Sequence, residues 1–149
     1  MRRILAVAVL LAVLPSCVLV PFIDSFKKAG VSEGDRQALL TERLKRFNDS
    51  LYWNSPIEAL QYVDSERRSE IAPKLQRMVE GRRMVDGKVR NIEFGDSSFT
   101  AGVHIVMRSY RIPVYVVTEV EQKQTWKFSM ASGWELWDLE VKEDKGKAF

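Results

Sequence analysis

From Phe99 to Val141 apolar and polar residues alternate with the period of a β-strand. Ala101, Val103, Ile105 and Met107 share one parity, against His104, Val106, Arg108 and Tyr110 on the other. Beyond Pro113, the residues Val114, Val116, Val120, Trp126 and Phe128 share a parity opposite Glu119, Glu121, Lys123 and Lys127. A two-residue period of this kind predicts strands with one buried face, and turns at Pro113 and Ser129–Gly133 make the stretch an antiparallel meander. The last strand departs from the pattern, because Trp134 and Leu136 lie on one parity while Trp137, Leu139 and Val141 lie on the other. Either its second face is covered, or a bulge near Asp138 returns Leu139 and Val141 to the core.

A half-buried sheet needs a cover, and the preceding residues supply helical periodicity. Leu40, Leu44, Phe47 and Leu51 fall at i, i+4, i+7 and i+11, with Ser32 or Asp35 placed to cap the helix and Tyr52-Trp53 closing it. Ser55-Pro56-Ile57-Glu58 has the form of a capping box, with Pro at the first helical position, and starts a short helix through Ala59, Leu60 and Val63. Asp64-Ser65-Glu66 can cap a third helix, which Ala72-Pro73 should break or kink before Leu75, Met78 and Val79 carry it to Gly81. Arg82 to Phe94 reads as a further strand that Asp86-Gly87 turns or bulges. The fold class expected is therefore α+β, with N-terminal helices packed on an antiparallel sheet.

The start of the chain carries different information. Met1-Arg2-Arg3 precedes the apolar run ILAVAVLLAVL, then Pro15-Ser16-Cys17. A basic start, an apolar stretch of that length and a small residue before the cut are the marks of a secretory signal. Leu14-Pro15-Ser16-Cys17 resembles the bacterial lipobox, which implies cleavage before Cys17 and acylation of its thiol and new amino group. Pro15 departs from the commoner small residue at its position. The other reading is an uncleaved anchor from Ile4 to Ile23, long enough to span a bilayer but interrupted by Pro15 and Pro21. The divisions expected are a signal peptide (1–16), a lipidated Cys17 with a polar spacer (17–34), a folded domain (35–141) and a solvated tail (142–149). Both readings export the domain, and with a single Cys no internal disulfide can hold it.

Composition narrows the chemistry. The 149 residues are 46% apolar and 29% charged, enough for one core. The formal charge of +3, which falls to +1 without Arg2 and Arg3, leaves no electrostatic footprint for nucleic acid. One His and one Cys disfavour a zinc cluster, and no phosphate-binding, dinucleotide-binding or nucleophile-elbow run occurs. No cofactor is implied.

The LYW-ended first helix, the SPIEAL start of the second, and the strands leading to QTWKF and GWELWDL resemble NTF2-like (cystatin-like cone) proteins. More narrowly, they resemble the small uncharacterised NTF2-like lipoproteins of Gram-negative bacteria. The resemblance spans roughly residues 35–141 and implies a curved sheet wrapped around helices. Family members include isomerases, dehydratases and adaptors. An isomerase or dehydratase needs an Asp or His base facing a Tyr donor inside the cone, and Asp64, His104, Tyr110, Tyr115 and Asp138 are the available groups. No family motif links them. Trp53, Tyr62, Tyr110, Trp126 and Trp134 are the candidates to line a cavity for a small apolar ligand. Tyr115, Val117, Trp137, Leu139 and Val141 are the candidates for a homodimer interface on the outer sheet face. The function expected is binding or scaffolding by a lipid-anchored domain at the periplasmic face of the outer membrane. By resemblance to the lipoproteins of enteric bacteria, in which an Asp after the Cys favours inner-membrane retention, Val18 at that position implies the outer membrane, with the inner membrane as the alternative. An isomerase- or dehydratase-type enzyme and a subunit of an envelope complex are the alternatives.

Overall fold

The structure, a computed structural model, describes residues 25–143. The expected signal peptide, Cys17 and residues 144–149 lie outside these. After a helical turn at residues 25–28 come α1 (Glu33–Tyr52), α2 (Pro56–Ala59) with a 3-10 turn at Leu60–Tyr62, and α3 (Arg68–Val79). Four strands follow: β1 (Arg82–Phe94), β2 (Thr100–Arg111), β3 (Thr118–Ser129) and β4 (Gly133–Glu143). They pair antiparallel in the order β1-β2-β3-β4, one curved meander with the helices on its inner face.

α1 forms where its apolar stripe predicts. Ser32 is its N-cap, and its side-chain oxygen accepts from the Asp35 amide at 3.1 Å. Leu40, Leu44, Phe47 and Leu51 are all buried in the core. The other two helix starts differ from expectation. Ser55 stands at the N-cap of α2 but makes no side-chain cap bond, so the capping box does not form. With ψ of 71° instead of the extended value near that of Ser32, its side chain is not aimed at the first turn. The Asp64 carboxylate accepts from the Glu66 amide at 2.9 Å, an Asx turn, and the N-cap of α3 is Arg67 with no side-chain cap. Pro73 does not break α3 either. The helix runs through it because Ile71, Leu75, Met78 and Val79 are buried, and their packing outweighs one lost amide bond.

The core joins these helix residues to Val103, Ile105, Met107, Trp126, Phe128, Trp134, Leu136 and Leu139 on the sheet. β4 resolves its two-sided pattern by a bulge. Thr125 pairs with Asp138 and Trp126 with Leu136, leaving Trp137 between the rungs. The extra residue resets the parity, so Leu139 is buried with Trp134 and Leu136, and Val141 packs half-buried against the core. β1 carries two such shifts, one between Met84 and Asp86, where Asp86-Gly87 was expected to bulge it, and one between Val89 and Asn91 that the sequence did not signal.

Two boundaries move. Residues 30 and 31 are not free spacer. Gly30 is buried at φ +66°, where an added Cβ would stand 2.5 Å from the Phe128 ring. Arg36, 4% exposed, donates to the carbonyls of Gly30 and Val31 at 2.9 Å each and to the Ser97 carbonyl at 3.0 and 2.6 Å. At the other limit, β4 continues to Glu143. The meander is also shorter at its first turn than expected. Val114 and Val116 are 60% and 47% exposed in a connection, not on a strand. Among the described residues the buried core cluster lies within 40–139, with Leu39 and Val141 packed against it.

Candidate functional site

The inner face of β3 carries Val120, Gln122, Gln124, Trp126 and Phe128, all buried. Two of these five are amides, which sequence periodicity did not single out. They satisfy each other in a chain. Trp126 Nε1 donates to Gln124 Oε1 at 2.9 Å, Gln124 Nε2 donates to Gln122 Oε1 at 2.9 Å, and Gln122 Nε2 points at Met107 Sδ at 2.6 Å. A buried polar chain stays in place only when its members are paired. The Trp126 ring stacks edge-on against Phe47, with centroids 5.6 Å apart, and Phe47 meets Tyr62 in the same way at 6.3 Å. Trp134 donates through Nε1 to the Arg36 carbonyl at 2.7 Å.

This packing decides the cavity candidates. Tyr62, Trp126 and Trp134 are core residues whose rings fill the interior rather than line it. Trp53 is 76% exposed beyond the end of α1, and Tyr110 sits half-buried on the outer face against Tyr115, with ring centroids 5.6 Å apart. The five do not converge on one cavity.

The outer face is different in kind. Two cross-strand rows, Glu93–Gly102–Thr125–Asp138 and Asn91–His104–Lys123–Glu140, enclose a shallow groove of about 410 Å³. Gly102 and Thr125 form its low floor, and at Gly102 an added Cβ would meet nothing within 4 Å. The walls carry three carboxylates and Lys123. Asp138 faces Arg67 at 3.8 Å and Lys74 at 3.9 Å. His104 Nε2 is buried without a hydrogen-bond partner, 3.7 Å from the Glu121 carboxylate. Farther along the face, Arg108 holds Asp86 in a bidentate pair that keeps the Asp86 carboxyl below its ordinary range. On α3, Lys74 and Arg67 do the same for Glu70. A groove of this composition suits a polar or mixed-charge ligand. Among the described residues, no group of three or more His, Cys, Asp or Glu side chains could hold a metal ion.

The groups weighed as base and donor are not brought together. His104 and Asp138 line the outer groove, Asp64 lies in the turn before α3, Tyr110 stands near the end of β2 and Tyr115 in the connection after it. The interface candidates are separated too. Leu139 and Val141 face inward, as above. Trp137 lies on the outer side between cations, with Lys127 Nζ 3.3 Å and Arg67 Cζ 5.5 Å from its ring centre. Tyr115 and Val117, 73% and 50% exposed, belong to the β2–β3 connection. Seven rungs of β3 separate that connection from Trp137, about 23 Å at strand spacing. No continuous apolar patch joins them. Buried Arg36, Gln122 and Gln124 are the residues that sequence reasoning missed. Only the gap in the apolar series between Val120 and Trp126 could have pointed to the two amides.

No family model matches the chain, and no curated protein matches it. Among solved structures, it is similar to the solution structure of a SEC-C motif containing protein from Rhodopseudomonas palustris. The two are 12% identical with a TM-score of 0.51, over 62% of this chain and 70% of that one. At that identity the likeness concerns the fold alone.

Proposed function

We propose that this chain is a lipid-anchored, NTF2-like domain at the periplasmic face of the outer membrane, and that it binds or scaffolds through its surface. The filled interior carries the second half of this reading. Phe47, Tyr62, Trp126, Trp134 and Met107 occupy the space where a cone enzyme would hold substrate, while the features open to a partner lie outside. The lipobox resemblance at Leu14–Cys17 supports the anchor, and helices followed by a curved antiparallel meander are compatible with the NTF2-like resemblance. Among the described residues no helix is long and apolar enough to cross a membrane.

Intact-mass measurement of protein extracted from Gram-negative membranes tests the anchor. The expected species begins at Cys17 and carries acyl chains, enough for stable attachment when two or more are present. A retained Met1–Ser16 or a mass without acyl chains removes it. Titration of the domain with a small apolar probe tests the filled interior. Backbone signals of Gln124 and Trp126 should stay unmoved, and shifts concentrated there would replace surface binding by a cavity function.

A further inference from the structure

The segment between β2 and β3 reads Ile112-Pro113-Val114-Tyr115-Val116-Val117, and its five large apolar residues are 57%, 60%, 73%, 47% and 50% exposed. Apolar surface in one unbroken run at a loop is unusual, because a turn needs only polar or glycine residues to reverse a strand. The opposite turn of the same sheet exposes a single large apolar residue, Met130 at 59%, and is otherwise built this way. Ser129 and Ser132 bond to each other at 2.6 Å, and Gly133 takes φ +77°.

The apolar connection projects past the last β2–β3 rung, Ser109–Thr118, with Tyr110 and Tyr115 paired at its base. Its flanks are basic. Arg83 faces Tyr110 and Arg82 faces Arg111 across β1 and β2, and Arg83 and Arg111 are exposed. Arg108 is committed to Asp86 and lies beside Glu119, and Glu80 before β1 and Glu143 across from Val120 are further acids toward this end of the sheet. A projecting apolar tip, tyrosines at its base and exposed arginines behind them match a bilayer in order of depth: hydrocarbon, interface, anionic headgroup.

We propose that Ile112–Val117 is a membrane-inserting loop that docks the domain on an anionic lipid surface, independently of the acyl chains. Its setting rests on the membrane location proposed above. Gly30, near the N-terminal start of the described residues, packs on Phe128 at the far end of the sheet, about 40 Å away along the 12 residues of β2. Tethered at one end and inserted at the other, the domain would lie along the bilayer, with its outer face or helices turned to the periplasm.

The test uses the domain from Ser25 to Phe149, which has no acyl chain, so its failure leaves the intact-mass result untouched. It is floated with vesicles of phosphatidylethanolamine and phosphatidylglycerol in equal parts, and with phosphatidylcholine alone. Wild type should float with the anionic vesicles and lose binding in high salt. Tyr115→Ser with Val116→Ser should weaken binding by about tenfold or more, since the interfacial Tyr115 ring and the Val116 side chain in hydrocarbon are both withdrawn from the bilayer. Arg83→Glu with Arg111→Glu should weaken it only for anionic vesicles. Trp53→Ser with Ile57→Ser, a still more exposed apolar pair on the helical side, should change nothing, and circular dichroism confirms folding of each variant. Absence of flotation by wild type, or equal flotation by the Tyr115/Val116 variant, overturns the proposal and leaves the loop as a protein contact.

Discussion

Along β3, the residues from Val120 to Phe128 at even positions and those from Glu119 to Lys127 at odd positions share one backbone but not one environment. The even set is buried in the interior, with Trp126 fully so and its ring against Phe47 of α1. The odd set forms part of a charge checkerboard in which Glu119 lies beside Arg108, Glu121 between Val106 and Lys142, and Lys123 between His104 and Glu140. The contrast separates two uses of polarity. Inside, Gln122 and Gln124 are tolerated because each amide is paired. Outside, charges are tolerated because water screens them, and they remain free to meet a ligand or partner.

The largest test of that contrast is Trp126→Ala, which should lower stability by about 3–5 kcal/mol in denaturant titration, the usual cost of emptying a core aromatic site. Next is a neighbouring pair. Gln124→Ala strips partners from both Trp126 Nε1 and Gln122 Oε1 and should cost about 1–3 kcal/mol, whereas Lys123→Ala should stay within about 0.5 kcal/mol. Equal costs for the two would mean that β3 does not divide as described. Trp137→Ala, at the bulge, should cost about 1–2 kcal/mol, mainly from its two cation contacts, measured by thermal melting. Trp137→Glu should leave sedimentation of the domain unchanged, because Leu139 and Val141 face inward and build no apolar patch around it.

The smallest effect is pH-dependent and belongs to the outer face. The Asp86 carboxyl is held below its ordinary range chiefly by its hydrogen bonds to Arg108. A depressed folded-state value contributes stability above the unfolded value, and that contribution disappears as pH falls through the folded one. Asp86→Asn should therefore melt slightly below wild type at neutral pH, and the gap should close on acidification. A gap that persists in acid would assign the effect to packing.

Much of the fold was legible because it follows from periodicity. The α1 stripe, the inward parity of β2 and the alternation of β3 from Val120 onward all appear in the structure, since a buried face demands repeated apolar residues whatever surrounds it. Helix starts were legible only in part. Ser32 caps as expected, but Ser55 and Asp64 have the right residue types in backbones that aim them elsewhere. The candidate surface was less legible still. The groove exists because Gly102, Thr125 and Asp138, 23 and 13 residues apart along the chain, fall on one rung.

What the sequence by itself determined is the class of each segment: which positions need a core, which need water, and where helices give way to strands. These follow from local period and side-chain chemistry. What only the tertiary structure decided is which alternative the last strand takes and what each polar residue does. One extra residue at Trp137 turned an apparent second apolar face into core, because a two-residue period reverses side when the register slips by one. Arg36 and Gln122 became interior groups because the Ser97 carbonyl and the Met107 sulfur arrive from a distant part of the chain and from the next strand, and Gln124 is closed between Gln122 and Trp126 on its own strand once that face is covered.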